Sequence, residues 1–440
     1  MTMSPSAAAP TWFGHPRGLT ILFLTNMWEQ FSYYGMRALL VYYMTKQLML
    51  GQAHASFVYG AYTACAYFTP ILGGVLADRV LGKRRAIVTG ASIMAAGHFM
   101  MTFDALFYLA LATIALGNGL FLPSLPSQVG DLYAHGDARR GWAFNVYYVG
   151  VNIGGFLAPL ICGTVGELYG WHYGFGLAGI GMLAGLAIYV AGQRYLPPEL
   201  PRTPAVDAEP RRGMARDTVL VLLGVGLAVT VFRAAYEQVG NTVALWADTG
   251  VDRNAGGFAI PMTWFQSLNP LFVMLMTPPL LAWWGRRAAR GVDQAPLRRM
   301  ACGAAIVSAA YLLLAAVSWN AGAQATATTG WIWLLLFFLV LTFGELFILP
   351  TGLGLFARLA PRHLGSTTVA AWFLVTFAGS LSAGLVGGLW SRMGHGVFFA
   401  LLALLALVSA ALLWRLDGPM RRADHPQPSG AATPTAIQHT

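Results

Sequence analysis

The sequence predicts an all-α membrane protein with twelve transmembrane helices in two six-helix bundles. Three observations predict it. Hydrophobic residues make up 57% of the 440 and charged residues only 10%, against about 25% charged in an ordinary soluble domain. Apolar runs of roughly 20 residues, the length a hydrocarbon core demands, recur along nearly the whole chain. Lysine and arginine gather in alternate loops between those runs.

The spans are expected near 18–44, 56–77, 86–103, 106–126, 142–163 and 173–192, then 218–245, 257–285, 299–318, 330–357, 366–390 and 396–414. Residues 1–17 are polar and Pro-rich without an apolar centre, so the first span reads as a retained helix and not as a cleaved signal peptide. The longest segment between spans, "RYLPPELPRTPAVDAEPRRGMARD" over 194–217, is rich in Pro and charge. It separates an N-terminal six-helix unit over 1–193 from a C-terminal one over 218–415. The stretch 416–440 is expected to be a disordered cytoplasmic tail.

Topology follows from the basic residues. With the N-terminus inside, 22 of the 27 Lys and Arg fall on one side, and only Lys46, Arg253 and Arg392 on the other. The positive-inside rule then puts both termini in the cytoplasm, the chain being integral to the cytoplasmic (inner) membrane. The net charge of +10 invites a nucleic-acid partner, but that needs a basic face on a soluble domain; none is expected here. Cys65, Cys162 and Cys302 all lie in apolar runs without metal-like spacing and read as small core residues. No metal or other cofactor is expected, and no catalytic cluster: of the nine histidines only His98 clearly falls inside a span.

Span 1 contains "NMWEQFSYYGMR", polar where a lipid-facing helix would be apolar. At about 100° per residue, Asn26, Gln30, Tyr33 and Arg37 share one narrow stripe, with Glu29 and Tyr34 on its shoulders. Charges inside spans are costly and mark substrate or ion paths. Span 7 carries Arg233, Glu237 and Asn241 at i, i+4, i+8, and span 10 a lone Glu345 in "LTFGELFILP". The plainer alternative for Glu29 or Glu345 is a neutral, hydrogen-bonded structural carboxyl.

The loop after span 2, "PILGGVLADRVLGKRR", and that after span 8, "TPPLLAWWGRRAARG", both pass from an apolar helix through a small-residue turn into a basic cluster. Two six-helix halves with such parallel repeats resemble the major facilitator fold, whose substrate sites lie between the halves near the midplane. Gly74, Asp78, Arg79, Gly82, Lys83 and Arg84 match that superfamily's conformational loop. Plain positive-inside charge accounts for the basic members of this loop but not for Asp78 or the glycines.

More specifically, "WEQFSYYGMRALL" resembles the span 1 signature of the proton-dependent oligopeptide transporter (POT/PTR) family. Six further stretches resemble it in order: "YFTPILGGVLADRVLG", "GNGLFLPSLPSQVGDLY", "FRAAYEQVGN", "MTWFQSLNPLF", "GELFILPTGLGLFARLAP" and "AAWFLVTFAGSLSAGLVGGLW". Together they span most of residues 20–392. The resemblance implies uptake of di- and tripeptides by alternating access, with protons as the coupled partner and their gradient as the energy source.

Residue by residue, the resemblance makes Arg37 the anchor of the peptide carboxylate. Tyr33, Tyr34 and Tyr67 become cavity tyrosines, and Asn152 and Asn269 the amides that hold the peptide. Glu345 becomes the partner of its ammonium, Trp372 a pocket aromatic, and Glu237 the acid whose protonation releases Arg37. The chemistry agrees: a planar guanidinium suits a carboxylate, and aromatic walls with amides tolerate varied side chains.

The chain also departs from the family pattern. Asn26 stands for the first family glutamate, Gln30 for an arginine, Leu122 for a lysine and Arg233 for a tryptophan, leaving Glu29 as the survivor of the charged span 1 signature. The 194–217 linker has no room for the two extra helices of many bacterial members. Three acids (Glu29, Glu237, Glu345) and two bases (Arg37, Arg233) remain where the family has four and three, so one carboxyl lacks a matching cation and suits proton carriage; Glu237 and Glu345 are the expected proton carriers, ahead of Glu29. Arg233 is expected to stand in for the missing lysine, pairing with Glu345 across the cavity or with Glu237 one turn along.

Three alternatives stay open: an uncoupled or weakly coupled facilitator of another small zwitterion, a membrane-embedded enzyme, and a receptor or scaffold. The transporter is expected to work as a monomer. Among smaller features, Asp131 is expected to cap its helix or pair with Arg139 or Arg140. Trp283 and Trp284 are expected in an interfacial belt.

Overall fold

The computed structural model describes residues 11–12, 14–134, 136–199, 216–291, 295–321, 329–359 and 365–424. Helices follow the apolar runs in the expected order. The first group is α1 (Arg17–Tyr42), α2 (Gln52–Leu76), α3 (Lys83–Met100), α4 (Phe107–Asp131), α5 (Arg139–Ala158), α6 (Thr164–Tyr169) and α7 (Trp171–Gly192). The second is α8 (Arg216–Tyr236), α9 (Thr242–Thr249), α10 (Leu268–Ala289), α11 (Pro296–Asn320), α12 (Trp331–Leu359), α13 (Gly365–Gly387) and α14 (His395–Asp424). Among the described residues, strands are confined to three two-stranded pairings with two residues per strand, at the chain's start, in the loop after α9 and just before α12.

Nine helical stretches among the described residues are long and apolar enough to cross a membrane. The other three expected spans, 18–44, 86–103 and 257–285, correspond to α1, α3 and α10. Their sequences explain the shortfall: α1 carries the polar stripe, α3 starts on Lys83, Arg84 and Arg85, and α10 contains Pro278 and Pro279 and ends on Arg286 and Arg287. The outward faces of the long helices present Leu116, Leu223, Leu227, Leu404 and Leu407. In water such faces would drive aggregation; in lipid they are simply solvated.

Packing groups the helices by sequence. In the first group α1 lies against α5 and α7, and α4 against α2 and α3; in the second, α11 lies against α12 and α14, and α8 against α13 and α14. The groups meet where α2 packs on α13 and α5 on α10. Lipid supplies no hydrophobic drive between helices, so close backbone approach must. Gly60 and Gly384 provide it: a Cβ on Gly384 would sit 3.0 Å from the Gly60 Cα.

On the face opposite the basic loops, polar bonds close the two groups together. Lys46 pairs with Asp248 at 2.7 Å, Tyr42 donates to the Ala244 carbonyl at 2.8 Å, and Ser56 donates to Asn241 at 2.9 Å. Glu167 accepts from the Met262 and Thr263 backbone N–H groups and from the Thr263 hydroxyl.

Two expectations about elements are corrected. The span expected over 218–245 is present as Thr218–Thr249, but the single face expected for Arg233, Glu237 and Asn241 is broken: a 3₁₀ turn at Glu237–Gly240 and an irregular Asn241 (φ −116°, ψ −96°) separate α8 from α9. Asn241 therefore leaves the face of Arg233 and Glu237 and bonds Ser56 and Gln238 instead. At the other end, α14 does not stop at 415 but runs to Asp424, so 416–424 is helix where disorder was expected. Asp417 holds it there, buried and paired with Arg298 at 2.8 Å and Arg421 at 3.1 Å. The rest of that tail, 425–440, and 200–215 of the linker lie outside the described residues.

Candidate functional site

A cavity of about 580 Å³ lies between the two groups of helices. α1 contributes Tyr34 and Arg37, α2 Tyr67, and α5 Asn145, Tyr148 and Asn152. The second group contributes Arg233, Tyr236 and Glu237 around the α8 break, Asn269 from α10, Glu345 from α12, and Trp372 and Thr376 from α13. Its walls continue along α10 through Thr277 and Leu281 to Trp284, two residues before the Arg286–Arg287 cluster. The cavity thus extends toward the basic face, while the opposite face is held shut by the bonds above.

Its charges are arranged around one carboxylate. Glu237 Oε2 accepts from Arg37 Nη2 at 2.5 Å, and Oε1 accepts from Arg233 Nη2. The Glu237 side chain is 2% exposed, and those of Arg37 and Arg233 are 14% and 6% exposed. Each cation is also held by an aromatic ring. Arg37 donates its Nε–H to the Tyr59 hydroxyl at 2.6 Å and lies 5.5 Å from that ring's centre. Arg233 stacks 4.9 Å over Tyr67. Gly240 is what lets Tyr59 approach: a Cβ there would collide with the Tyr59 hydroxyl.

Glu345 has a separate environment. Asn269 Nδ2 donates to its Oε2 at 2.6 Å and also reaches the Thr342 hydroxyl at 3.0 Å. Of the two partners expected for Arg233, the structure selects Glu237. The result is a cation pair and an acid at one side of the cavity, and a second acid held by an amide at another. Such a site can hold a small molecule with separated positive and negative ends, between the aromatic walls of Tyr34, Tyr67, Tyr148 and Trp372.

Arg37, Tyr34, Tyr67, Asn152, Asn269, Glu237, Glu345, Arg233 and Trp372 are brought together as expected. Two expected residues are not. Tyr33 does not line the cavity; its ring stacks on Tyr62 at 6.5 Å and meets Tyr34 edge-on. Glu29 is 1% exposed and accepts from Gln30 Nε2 at 2.7 Å. Asn26 donates to the Tyr147 carbonyl of α5 at 3.1 Å. Only the Arg37 end of the polar stripe faces the cavity, because its Asn26 end is covered where α1 packs on α5 and α7.

Asn145, Tyr148 and Tyr236 were missed. The 145, 148, 152 spacing puts three polar side chains on one face of α5, a signal available in the sequence. Trp284, expected in an interfacial belt, instead lines the cavity and meets Arg299 at 4.7 Å. Cys65, expected in the core, is exposed.

The conformational loop forms a second cluster on the basic face. α2 ends after Gly74 and continues as a π turn over Ala77–Leu81, which includes Asp78 and Arg79 and stops at Gly82. Gly82 takes φ +84°, a value that favours glycine. Lys83 then pairs with Asp131 at the end of α4, at 2.6 Å. This corrects the expected Asp131 partners: Arg139 pairs with Asp137 instead. Arg84 donates to the Leu196 and Pro197 carbonyls at 3.0 and 2.7 Å, and its backbone N–H to Glu199 at 2.7 Å. The loop therefore ties the α2–α3 corner to α4 and to the segment leaving α7. With Asp78, Gln128 and Arg140 it encloses about 550 Å³.

A family model described as "POT family" matches residues 84–207 and 205–396. The chain is 31% identical to an uncharacterized transporter, YclF, of Bacillus subtilis, over 93% of this chain and 95% of the relative. It is 31% identical to the peptide transporter YePEPT of Yersinia enterocolitica, covering 96% and 98%. It is 30% identical to a di-/tripeptide transporter of Lactococcus lactis, covering 93% and 97%. Among solved structures, a peptide transporter POT in complex with sulfate superposes with a TM-score of 0.87 at 29% identity, covering 95% and 98%. A mutant peptide transporter POT in complex with alafosfalin gives 0.85 at 30% identity, covering 94% and 97%.

Proposed function

The chain belongs to the POT family, and from that premise we propose that it takes up di- and tripeptides through the cavity between its helix groups by alternating access, driven by proton symport. The observation that carries this reading is the arrangement of Arg37, Glu237 and Glu345 around one cavity. Arg37 anchors the peptide carboxylate and Glu345 its ammonium. Tyr34, Tyr67, Tyr148 and Trp372 form walls that tolerate varied side chains, and Asn152 and Asn269 direct the backbone.

Glu237 is the coupling acid. Protonated, it accepts less strongly from both guanidiniums, and Arg37 is released to the substrate. The family is one of transporters, and the chain is read as a non-enzyme that uses the proton gradient and no cofactor. Twelve spans in two six-helix bundles, divided by 194–217, place the basic loops in the cytoplasm of a bacterial inner membrane. The cavity's extension toward those loops makes this an inward-facing state. Gly74, Asp78, Arg79, Gly82, Lys83 and Arg84 act as the latch on the cytoplasmic side, and the monomer is the working unit.

One observation favours a second reading, weak coupling or none. Glu29 is capped by Gln30 and lies away from the cavity, so the span 1 acid is not in contact with the Arg37–Glu237 pair. Uptake of labelled dialanine into proteoliposomes distinguishes the two. Accumulation that collapses with the proton gradient supports symport; exchange without accumulation leaves a facilitator; no movement of peptide in either mode overturns the proposal.

A further inference from the structure

Arg233 is the feature of the cavity that the peptide reading leaves without a task of its own. It is 5% exposed and lines the cavity, and its Nε–H has no hydrogen-bond partner among the described residues. Burying a donor without an acceptor costs free energy, and a native site retains such a donor when a ligand supplies the acceptor. The side chain is also fixed. Its stem lies against Gly379, where an added Cβ would stand 2.6 Å from the Arg233 Cβ, and its guanidinium is stacked on Tyr67 at 4.9 Å. It is therefore pre-organised, with little conformational entropy to lose on binding.

The charge arrangement is uneven. Two guanidiniums share the single carboxylate of Glu237, one oxygen each. Glu345, the cavity's other acid, is held by Asn269. A peptide with one carboxylate takes Arg37 and leaves Arg233 with Glu237; once Glu237 is protonated for transport Arg233 has no anion, and a peptide with a second carboxylate supplies one. We propose that Arg233 is a specificity-determining residue that makes this transporter prefer dipeptides with an acidic side chain: one carboxylate on Arg37, the other on Arg233, and the ammonium on Glu345. This rests on the peptide-transport reading.

The test is competition against labelled dialanine in counterflow, using the full-length protein in proteoliposomes without a proton gradient. Unlabelled Ala-Glu, Glu-Ala, Ala-Ala and Ala-Lys serve as competitors. An added charge-assisted pair is worth about tenfold or more in affinity. At least one acidic dipeptide is therefore expected to compete about tenfold better than Ala-Ala, and Ala-Lys worse. In Arg233→Gln that ratio collapses toward one, whatever happens to the dialanine rate itself, and Arg233→Lys recovers part of it. Dialanine exchange with no acidic preference in the wild-type protein overturns the inference and leaves peptide transport standing. A preference that survives in Arg233→Gln also overturns it, by assigning the selectivity elsewhere. Absence of dialanine exchange sinks the peptide reading first. Because the first comparison uses the wild-type protein alone, it does not depend on any variant folding.

Discussion

Glu237→Gln separates the charge of this carboxyl from its shape. Oε2 accepts from Arg37 at 2.5 Å and Oε1 from Arg233, and the side chain is 2% exposed. A hydrogen bond to a charged group contributes about 1.5–3 kcal/mol and a neutral one about 0.5–1.5 kcal/mol. The amide keeps one oxygen, so one guanidinium retains an acceptor at a loss of roughly 1–2 kcal/mol. The other faces an NH₂ group, donor against donor, and loses about 2–3 kcal/mol. Together the two losses come to about 4 kcal/mol, the magnitude typical of a broken buried ion pair. Of this, only the Arg37 share, about 1–3 kcal/mol, ties the two helix groups together, since Arg37 stands on α1 while Arg233 and Glu237 are one turn apart on α8 and its end. Losing it shifts their equilibrium by about 5- to 150-fold. The assay is dialanine transport in proteoliposomes, run once as counterflow and once with an inward proton gradient, beside thermal unfolding in detergent. The variant is expected to unfold at a lower temperature, to retain counterflow, and to fail to accumulate peptide against a gradient. Gradient-driven accumulation at the wild-type level would refute the reasoning, because an amide at 237 cannot carry the proton.

Three further outcomes are expected. Glu345→Gln leaves Asn269 an acceptor but removes the charge, so dialanine should bind about tenfold more weakly, while N-acetyl-dialanine, which has no ammonium, should change by less than about twofold; equal losses in competition counterflow would refute the ammonium role. Gly384→Leu pushes α2 and α13 apart where a Cβ already meets the Gly60 Cα at 3.0 Å, so a cysteine introduced as Asn241→Cys should become more reactive to an impermeant maleimide added on the face opposite the basic loops; unchanged labelling would show that the contact does not close that face. At the loop before α5, Arg139 hydrogen bonds hold the half-buried Asp137 carboxyl below its usual range. A depressed acid contributes above its unfolded-state pKa and loses that contribution only as pH falls through its folded value, so Asp137→Asn should leave the pH profile of transport unchanged from about pH 5 to pH 8; a shift within that window would place a titrating role there.

Helices were legible where hydrophobic periodicity and the spacing of basic loops carried them, and breaks were not. The interruption at Glu237–Gly240 has no proline to announce it. It is set by tertiary contacts, with Tyr59 against Gly240 and Ser56 drawing Asn241 out of line, and a single-segment pattern contains neither partner. The same limit explains α14. "DGPM" looks like an ending, yet the helix runs through Pro419 to Asp424 because Arg298, from a helix more than a hundred residues earlier, binds the buried Asp417.

The site repeats this lesson at closer range. A polar stripe on a helical wheel identifies a face that avoids lipid, but lipid can be avoided by facing a cavity or by facing another helix. Asn26 and Glu29 took the second course and Arg37 the first. What distinguishes them is the partner helix: α5 and α7 cover the start of the stripe, while at Arg37 the neighbours are Tyr59 and the broken end of α8. That break also explains why two arginines converge on one acid. Glu237 opens the 3₁₀ turn within reach of Arg233 one turn back, and the opening of the helix end admits Arg37 from the other half. Arg233 has thus been placed on the carboxylate of the pair that joins the halves. Selectivity and conformational coupling consequently draw on the same carboxylate: a substrate that draws Arg233 off Glu237 leaves that acid to Arg37 alone, on the contact that joins α1 to the end of α8.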